Sequence, residues 1–155
     1  MILTLNLDKD ISSWCDTFLL YEDILCAAVS KNHPLAKQKK VSIKDLIFER
    51  ILLPSEEIFK GYGAFVNEML NSENLSKDII FEYECIYSSL LIAEAGEGIA
   101  IIPNMFKANR NDNVCFIPFS GNQYSFDVVA AWKKTDNNPA IKKFLQALSD
   151  TLENP

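Results

Sequence analysis

The sequence predicts an α/β fold. Three observations carry that prediction: continuous apolar runs of strand length, helical-period segments between them, and short connections throughout. A continuous apolar run implies burial on both faces, as in a parallel or mixed sheet covered by helices.

Taken in order, Ile2 to Leu7 alternates apolar and polar residues and reads as a short strand. Ile24-Leu-Cys-Ala-Ala-Val29 is a continuous buried strand, followed by the polar turn Ser30-Lys-Asn-His-Pro34. Ser42 is placed to cap a short helix over Ile43 to Ile47, with Asp45 in its first turn. Ile51-Leu-Leu-Pro54 is a second buried strand, stopped by its proline. Ile58, Tyr62, Phe65, Val66, Met69 and Leu70 then fall at helical spacing. Gly61 and Gly63 each cost about 1 kcal/mol inside a helix, which moves the expected start to near Lys60.

Ile79, Phe81, Tyr83 and Cys85 alternate with glutamates, as in a strand with one wet face. Tyr87 to Ala95 is a compact apolar helix with Gly96 suited to a left-handed C-cap. Ile99-Ala-Ile-Ile-Pro103 is a third buried strand, and Val114 to Phe119 and Phe126 to Trp132 add two more. Asn138-Pro139 opens the last helix, whose apolar stripe is Ile141, Phe144, Leu145, Leu148 and Leu152.

A chain of 155 residues suits one domain or two small lobes sharing a core. With 48% hydrophobic and 23% charged residues it has a globular composition. Its longest apolar runs are too short to span a bilayer, and the N-terminus carries no basic, cleavable leader. A cytoplasmic protein without membrane contact is expected. The net charge of −6 is concentrated in residues 51–100, where nine acids face only Lys60 and Lys77. With Arg50 and Arg110 the only arginines, no patch matches a run of phosphates, so nucleic-acid binding by this chain is not expected.

The four cysteines, Cys15, Cys26, Cys85 and Cys115, form no Cys-x-x-Cys pair, and a lone His33 leaves no zinc ligand set. Three of them lie in apolar runs and are expected to be buried; Cys15, beside Trp14, is the expected exposed thiol. Gly96-Glu-Gly98 follows a helix and precedes a strand, the reverse of a dinucleotide fingerprint. His33 before a proline reads as a turn or capping residue rather than half of a nucleophilic dyad. Glu82 and Glu84 read as a solvated strand face. No enzyme, metal or cofactor is expected.

In α/β sheets, ligands bind where strands end and helices begin. That rule selects Pro54-Ser55-Glu56 and Glu84-Cys85-Ile86-Tyr87-Ser88. Ser55, Ser88 and Ser89 fit either N-caps or, with free helix N–H groups, contacts to a small anion.

Tyr21-Glu-Asp-Ile-Leu-Cys-Ala-Ala-Val-Ser-Lys-Asn-His-Pro-Leu-Ala36, Val41-Ser-Ile-Lys-Asp-Leu46 and Ile51-Leu-Leu-Pro54 occur in that order. They are followed by Leu90-Leu-Ile-Ala-Glu-Ala-Gly-Glu-Gly-Ile-Ala-Ile-Ile-Pro103 and a closing proline-plus-amphipathic helix. This set resembles the effector-binding domain of LysR-type transcriptional regulators over nearly the whole chain. The resemblance implies a periplasmic-binding-protein-like fold, two α/β lobes with mixed sheets joined by crossover strands, holding a small polar or anionic metabolite between them. By position, Ile24 to Ser30 and Tyr124 to Trp132 are the implied crossovers. Residues 1–30 and 124–155 would form part of the first lobe and residues 31–123 the second. The implied effector contacts are Ser55, Cys85, Ile86, Tyr87 and Ser88, with Asn6 at the end of the first strand.

A complete family member begins with a winged helix-turn-helix and further elements of the first lobe. The expectation is therefore an incomplete first lobe, DNA contact only through a domain this chain lacks, and homo-oligomeric assembly. The alternatives are a solute-binding protein of the same fold and a truncated paralogue that acts by hetero-oligomerisation.

Overall fold

The computed structural model describes residues 1–7, 11–55, 57, 60–71, 80–109, 112–121 and 124–153. Its elements are β1 (Ile2–Leu5), α1 (Ile11–Trp14), β2 (Cys15–Ser30), β3 (Ile51–Pro54), α2 (Lys60–Asn71), β4 (Ile80–Tyr83), α3 (Ile86–Glu94), β5 (Ile99–Pro103), β6 (Val114–Pro118), β7 (Ser125–Lys133) and α4 (Pro139–Glu153). Short 3₁₀ turns cover Pro34–Lys37, Ile43–Leu46 and Asn104–Asn109. Glu56, Ile58 and Ile79, which the sequence reading used, lie outside the described residues, as does the side chain of Leu152.

The chain divides into two compact units, one of Met1–Glu22 with Phe126–Pro155, the other of Asp23–Ser125. In the first, β1 runs antiparallel to β7, with Ile2 opposite Ala131 and Leu5 opposite Val128. Its core gathers Ile11, Cys15, Val129 and Ala131. Asn138 caps α4 as expected, its side-chain oxygen accepting from the Ala140 N–H at 2.9 Å, and Ile141 of that helix's stripe is buried.

The second unit is built on the strand order β6-β2-β5-β3-β4. Leu25 to Val29 of β2 are fully buried because β5 and β6 flank them, both antiparallel. β3 is parallel to β4 on one side and to β5 on the other. Parallel neighbours need crossover connections, and α2 and α3 supply them. On one face Cys26, Ala28, Leu52, Tyr83, Leu90, Ala93, Ala100, Ile102, Val114 and Phe116 form a continuous core.

Local turns follow their side chains. His33 precedes the first 3₁₀ turn, its Nδ1 accepting from the Leu35 N–H at 3.2 Å and its Nε2 lying 3.3 Å from Glu49. Asp45 reaches back to accept from both the N–H and the hydroxyl of Ser42, so the expected short helix forms as a 3₁₀ turn. β2 is longer than the sequence predicts, because Cys15 to Glu22 joins the strand although its apolar residues Leu19 and Tyr21 are exposed.

Gly96 ends α3 at φ +81°, the left-handed conformation glycine adopts without strain. Gly98 answers a different need. A Cβ there would lie 3.0 Å from the Arg50 carbonyl oxygen and 3.3 Å from Leu52 Cγ, just where Ile99 N–H donates to Arg50. Gly98→Ala is expected to destabilise the protein by about 1–3 kcal/mol through overpacking. Urea denaturation checks this as a lower midpoint with an unchanged slope.

Candidate functional site

Parallel pairing sets the site's geometry. Because Pro54 of β3 pairs with Tyr83 of β4 and Ile51 pairs with Ile99 of β5, all three carboxyl ends emerge on one edge. Ser55 follows β3, Cys85 opens α3 after β4, and Asn104 follows β5. The Ser55 N–H donates to the Tyr83 carbonyl at 2.9 Å, extending the β3–β4 ladder by one residue. The β3–β5 register stops earlier, at Leu52 and Ala100.

Two buried tyrosines meet where that register ends. Tyr62 of α2 donates its phenol hydrogen to the Ile101 carbonyl at 2.9 Å, and Tyr83 donates to the same oxygen at 3.3 Å. A buried carbonyl without a ladder partner needs such donors. Burial raises both phenols well above their ordinary range, with the Tyr83 phenol and then the Cys26 and Asp23 groups adding to the effect at Tyr62.

At the start of α3, Cys85 has extended backbone and its carbonyl accepts from the N–H groups of Ser88 and Ser89 at 3.1 and 3.2 Å. The Ser88 hydroxyl also donates to the Cys85 carbonyl, at 2.6 Å, and the Ser89 hydroxyl donates to the Ile86 carbonyl at 2.7 Å. These serines therefore bond backward into their own helical turn instead of capping its first N–H groups. The Ile86 and Tyr87 N–H groups have no hydrogen-bond partner among the described residues. They are the orphan donors that every helix start presents.

The second unit thus brings Ser55 onto the same edge as Cys85, Ile86, Tyr87 and Ser88. Ser55 is buried and its hydroxyl has no partner among the described residues; Cys85, Tyr87 and Ser88 are exposed, and Ile86 packs against the core. Asn6 belongs to the other unit, where its N–H donates to the Asp127 carbonyl at 2.8 Å and continues the β1–β7 ladder.

The sequence reading missed three groups on this edge. Asn104 follows the buried run Ile99–Pro103, so the strand-end rule that selected Ser55 applies equally to it. Asp23 precedes β2's buried run; it is 5% exposed, and its carboxylate accepts from the Met105 N–H at 2.9 Å. Cys26 donates its S–H to Asn104 Oδ1 at 3.7 Å. Burial first, then the Asp23 carboxylate, push the Cys26 thiol up to about 12, against an opposing pull from Lys107.

The expected order of thiol exposure is corrected. Cys15 is buried, because it packs with Ile11, Val129 and Ala131 as β2 begins. Cys85 is the exposed cysteine, because its apolar strand ends two residues earlier, at Tyr83, and leaves it at the mouth of α3. Among the described residues no group of three or more His, Cys, Asp or Glu is placed to hold a metal ion, and no helix is long and apolar enough to cross a membrane.

A mixed sheet whose parallel strands end on a shared polar edge is the architecture of periplasmic-binding-protein-like effector domains. The model of the LysR substrate binding domain matches residues 5–153, and the chain belongs to that family. Curated relatives are transcriptional regulators. They include the Hca operon transcriptional activator HcaR of Escherichia coli, 25% identical over 88% of this chain and 46% of that protein. Another is the HTH-type transcriptional regulator BenM of Acinetobacter baylyi, 30% identical over 64% of this chain and 34% of that protein. The chain therefore spans less than half the length of these relatives. Among solved structures, the BenM effector binding domain with its effector benzoate has a TM-score of 0.75 at 23% identity, covering 88% of this chain and 63% of that one. Full-length CbnR complexed with its target DNA has a TM-score of 0.74 at 16% identity, covering 90% of this chain and 49% of that one.

Thiol chemistry tests the site's exposure pattern. Cys85 is expected to label first with a maleimide at pH 8, whereas Cys26 stays unreacted until the protein unfolds, since the thiolate is the reactive form. Loss of the fast labelling phase in Cys85→Ser checks the assignment.

Proposed function

We propose that this domain senses a small polar or anionic metabolite for a LysR-type transcriptional regulator, with no catalytic step and no DNA contact of its own. The observation that carries the reading is the convergence of three parallel strand ends, Ser55, Cys85 and Asn104, on one edge of the second unit. Strand ends of this kind are where open α/β sheets take ligands.

The chemistry available there supports a polar ligand. The Ile86 and Tyr87 N–H groups lie at the positive end of α3, and the Ser55 hydroxyl is a donor and acceptor held in a buried position. Benzoate on the related BenM domain is a small molecule with a carboxylate, which such donors suit. On this reading residues 1–30 and 124–155 belong to the first lobe of the effector domain and residues 31–123 form the second. The effector acts by favouring one arrangement of a homo-oligomer, a bias that only differential affinity supplies. The relatives' regulator names favour a cytoplasmic site of action beside the chromosome.

A thermal-shift screen of organic acids, amino acids and sugars, with light scattering in parallel, tests this. Saturable stabilisation by one compound class is expected, worth about 2.7 kcal/mol at a hundred times Kd, with a mass above that of a monomer. A folded chain that no compound stabilises and whose mass never changes contradicts sensing by this domain.

A further inference from the structure

The edge holds a buried carboxylate whose surroundings are unusual. Asp23 is 5% exposed and accepts from the Met105 N–H through Oδ2; Oδ1 has no hydrogen-bond partner among the described residues. Its polar neighbours do not serve it. The Tyr62 phenol and the Cys26 thiol both lie within electrostatic reach of Asp23 and both are held protonated by burial. The phenol hydrogen, however, goes to the Ile101 carbonyl and the thiol hydrogen to Asn104 Oδ1. With one backbone donor among the described residues, this buried carboxylate is short of the two or three hydrogen bonds that ordinarily offset lost hydration.

Donors for an opposite charge stand close by. Asn104 Oδ1 is occupied by Cys26, which leaves its Nδ2 amide facing no acceptor among the described residues. Lys107 is exposed on the 3₁₀ turn that opens with Asn104, three residues further on and so on the same face of that turn. Negative Asp23 and the donors of Asn104 and Lys107 therefore flank one strand end within a single compact unit.

We infer that the effector carries an ammonium group, received by Asp23, beside a carboxylate received by Asn104 and Lys107: a small zwitterion of the amino-acid class. The inference rests on the sensing role proposed above and narrows its ligand. It sets this chain apart from a domain whose effector is a plain carboxylate such as benzoate. A buried, incompletely bonded carboxylate repels such an anion, whereas an ammonium supplies the missing charge-assisted hydrogen bonds.

The experiment compares three probe sets by thermal shift on the whole chain: the common L-amino acids, their N-acetyl derivatives, and benzoate with other simple carboxylates. At least one free amino acid is expected to stabilise the protein, and its N-acetyl derivative is not. Asp23→Asn keeps an acceptor for the Met105 N–H and is expected to weaken binding of that amino acid by about tenfold or more. Circular dichroism confirms that the variant folds, and the N-acetyl comparison on the unaltered protein stands without the variant. Equal stabilisation by carboxylates lacking an ammonium overturns the zwitterion inference while leaving the sensing role intact. Stabilisation by none of the three sets overturns the zwitterion inference, and the sensing role falls with it only where the wider screen of organic acids and sugars also stabilises nothing.

Discussion

The second unit depends on β3 being hydrogen-bonded in parallel to two neighbours at once. Four residues, Ile51 to Pro54, are buried on every side, so the strand has no solvent edge and no wet face. Parallel pairing then requires that α2 and α3 cross over the sheet, and it sends the ends of β3, β4 and β5 to the same edge. Burial drives the packing, and Ser55 after β3, Cys85 at the start of α3 and Asn104 after β5 are the residues this edge presents. Where the β3–β5 register stops, the Ile101 carbonyl is satisfied by the phenols of Tyr62 and Tyr83. Two side chains thus supply the donors where backbone pairing has ended.

Much of this architecture was legible in the sequence. Ile51–Pro54 and Ile99–Pro103 have the same bounds in the structure as in the apolar pattern, because burial on both faces leaves no polar residue to blur their limits. The start of α2 at Lys60, the left-handed Gly96 and the Asn138 cap were also readable from single residues with strong conformational preferences. The ordered motif set pointed to the LysR family, and the family match over residues 5–153 bears this out.

What was not legible depended on partners distant in sequence. Cys15 to Glu22 has no clean period of two, because the exposure along this part of β2 is mixed. The exposure of Cys15 and Cys85 was read from flanking residues, whereas it is decided by where β2 begins and β4 ends. Asp23 and Asn104 meet at one strand end only because Leu25 pairs with Pro103, a contact between residues 78 positions apart that no local pattern announces. Ser88 and Ser89 read as either N-caps or contacts to a small anion by residue type, whereas their hydroxyls close onto carbonyls three residues back.

The most direct test of the strand-end site is amide mapping by nitrogen-15 NMR with whichever compound most stabilises the chain. Saturable shifts are expected to concentrate at Ser55, Cys85 to Ser88, and Asn104 with its neighbour Met105. Shifts of equal size that cluster elsewhere, with these amides unmoved at saturation, would contradict the strand-end site.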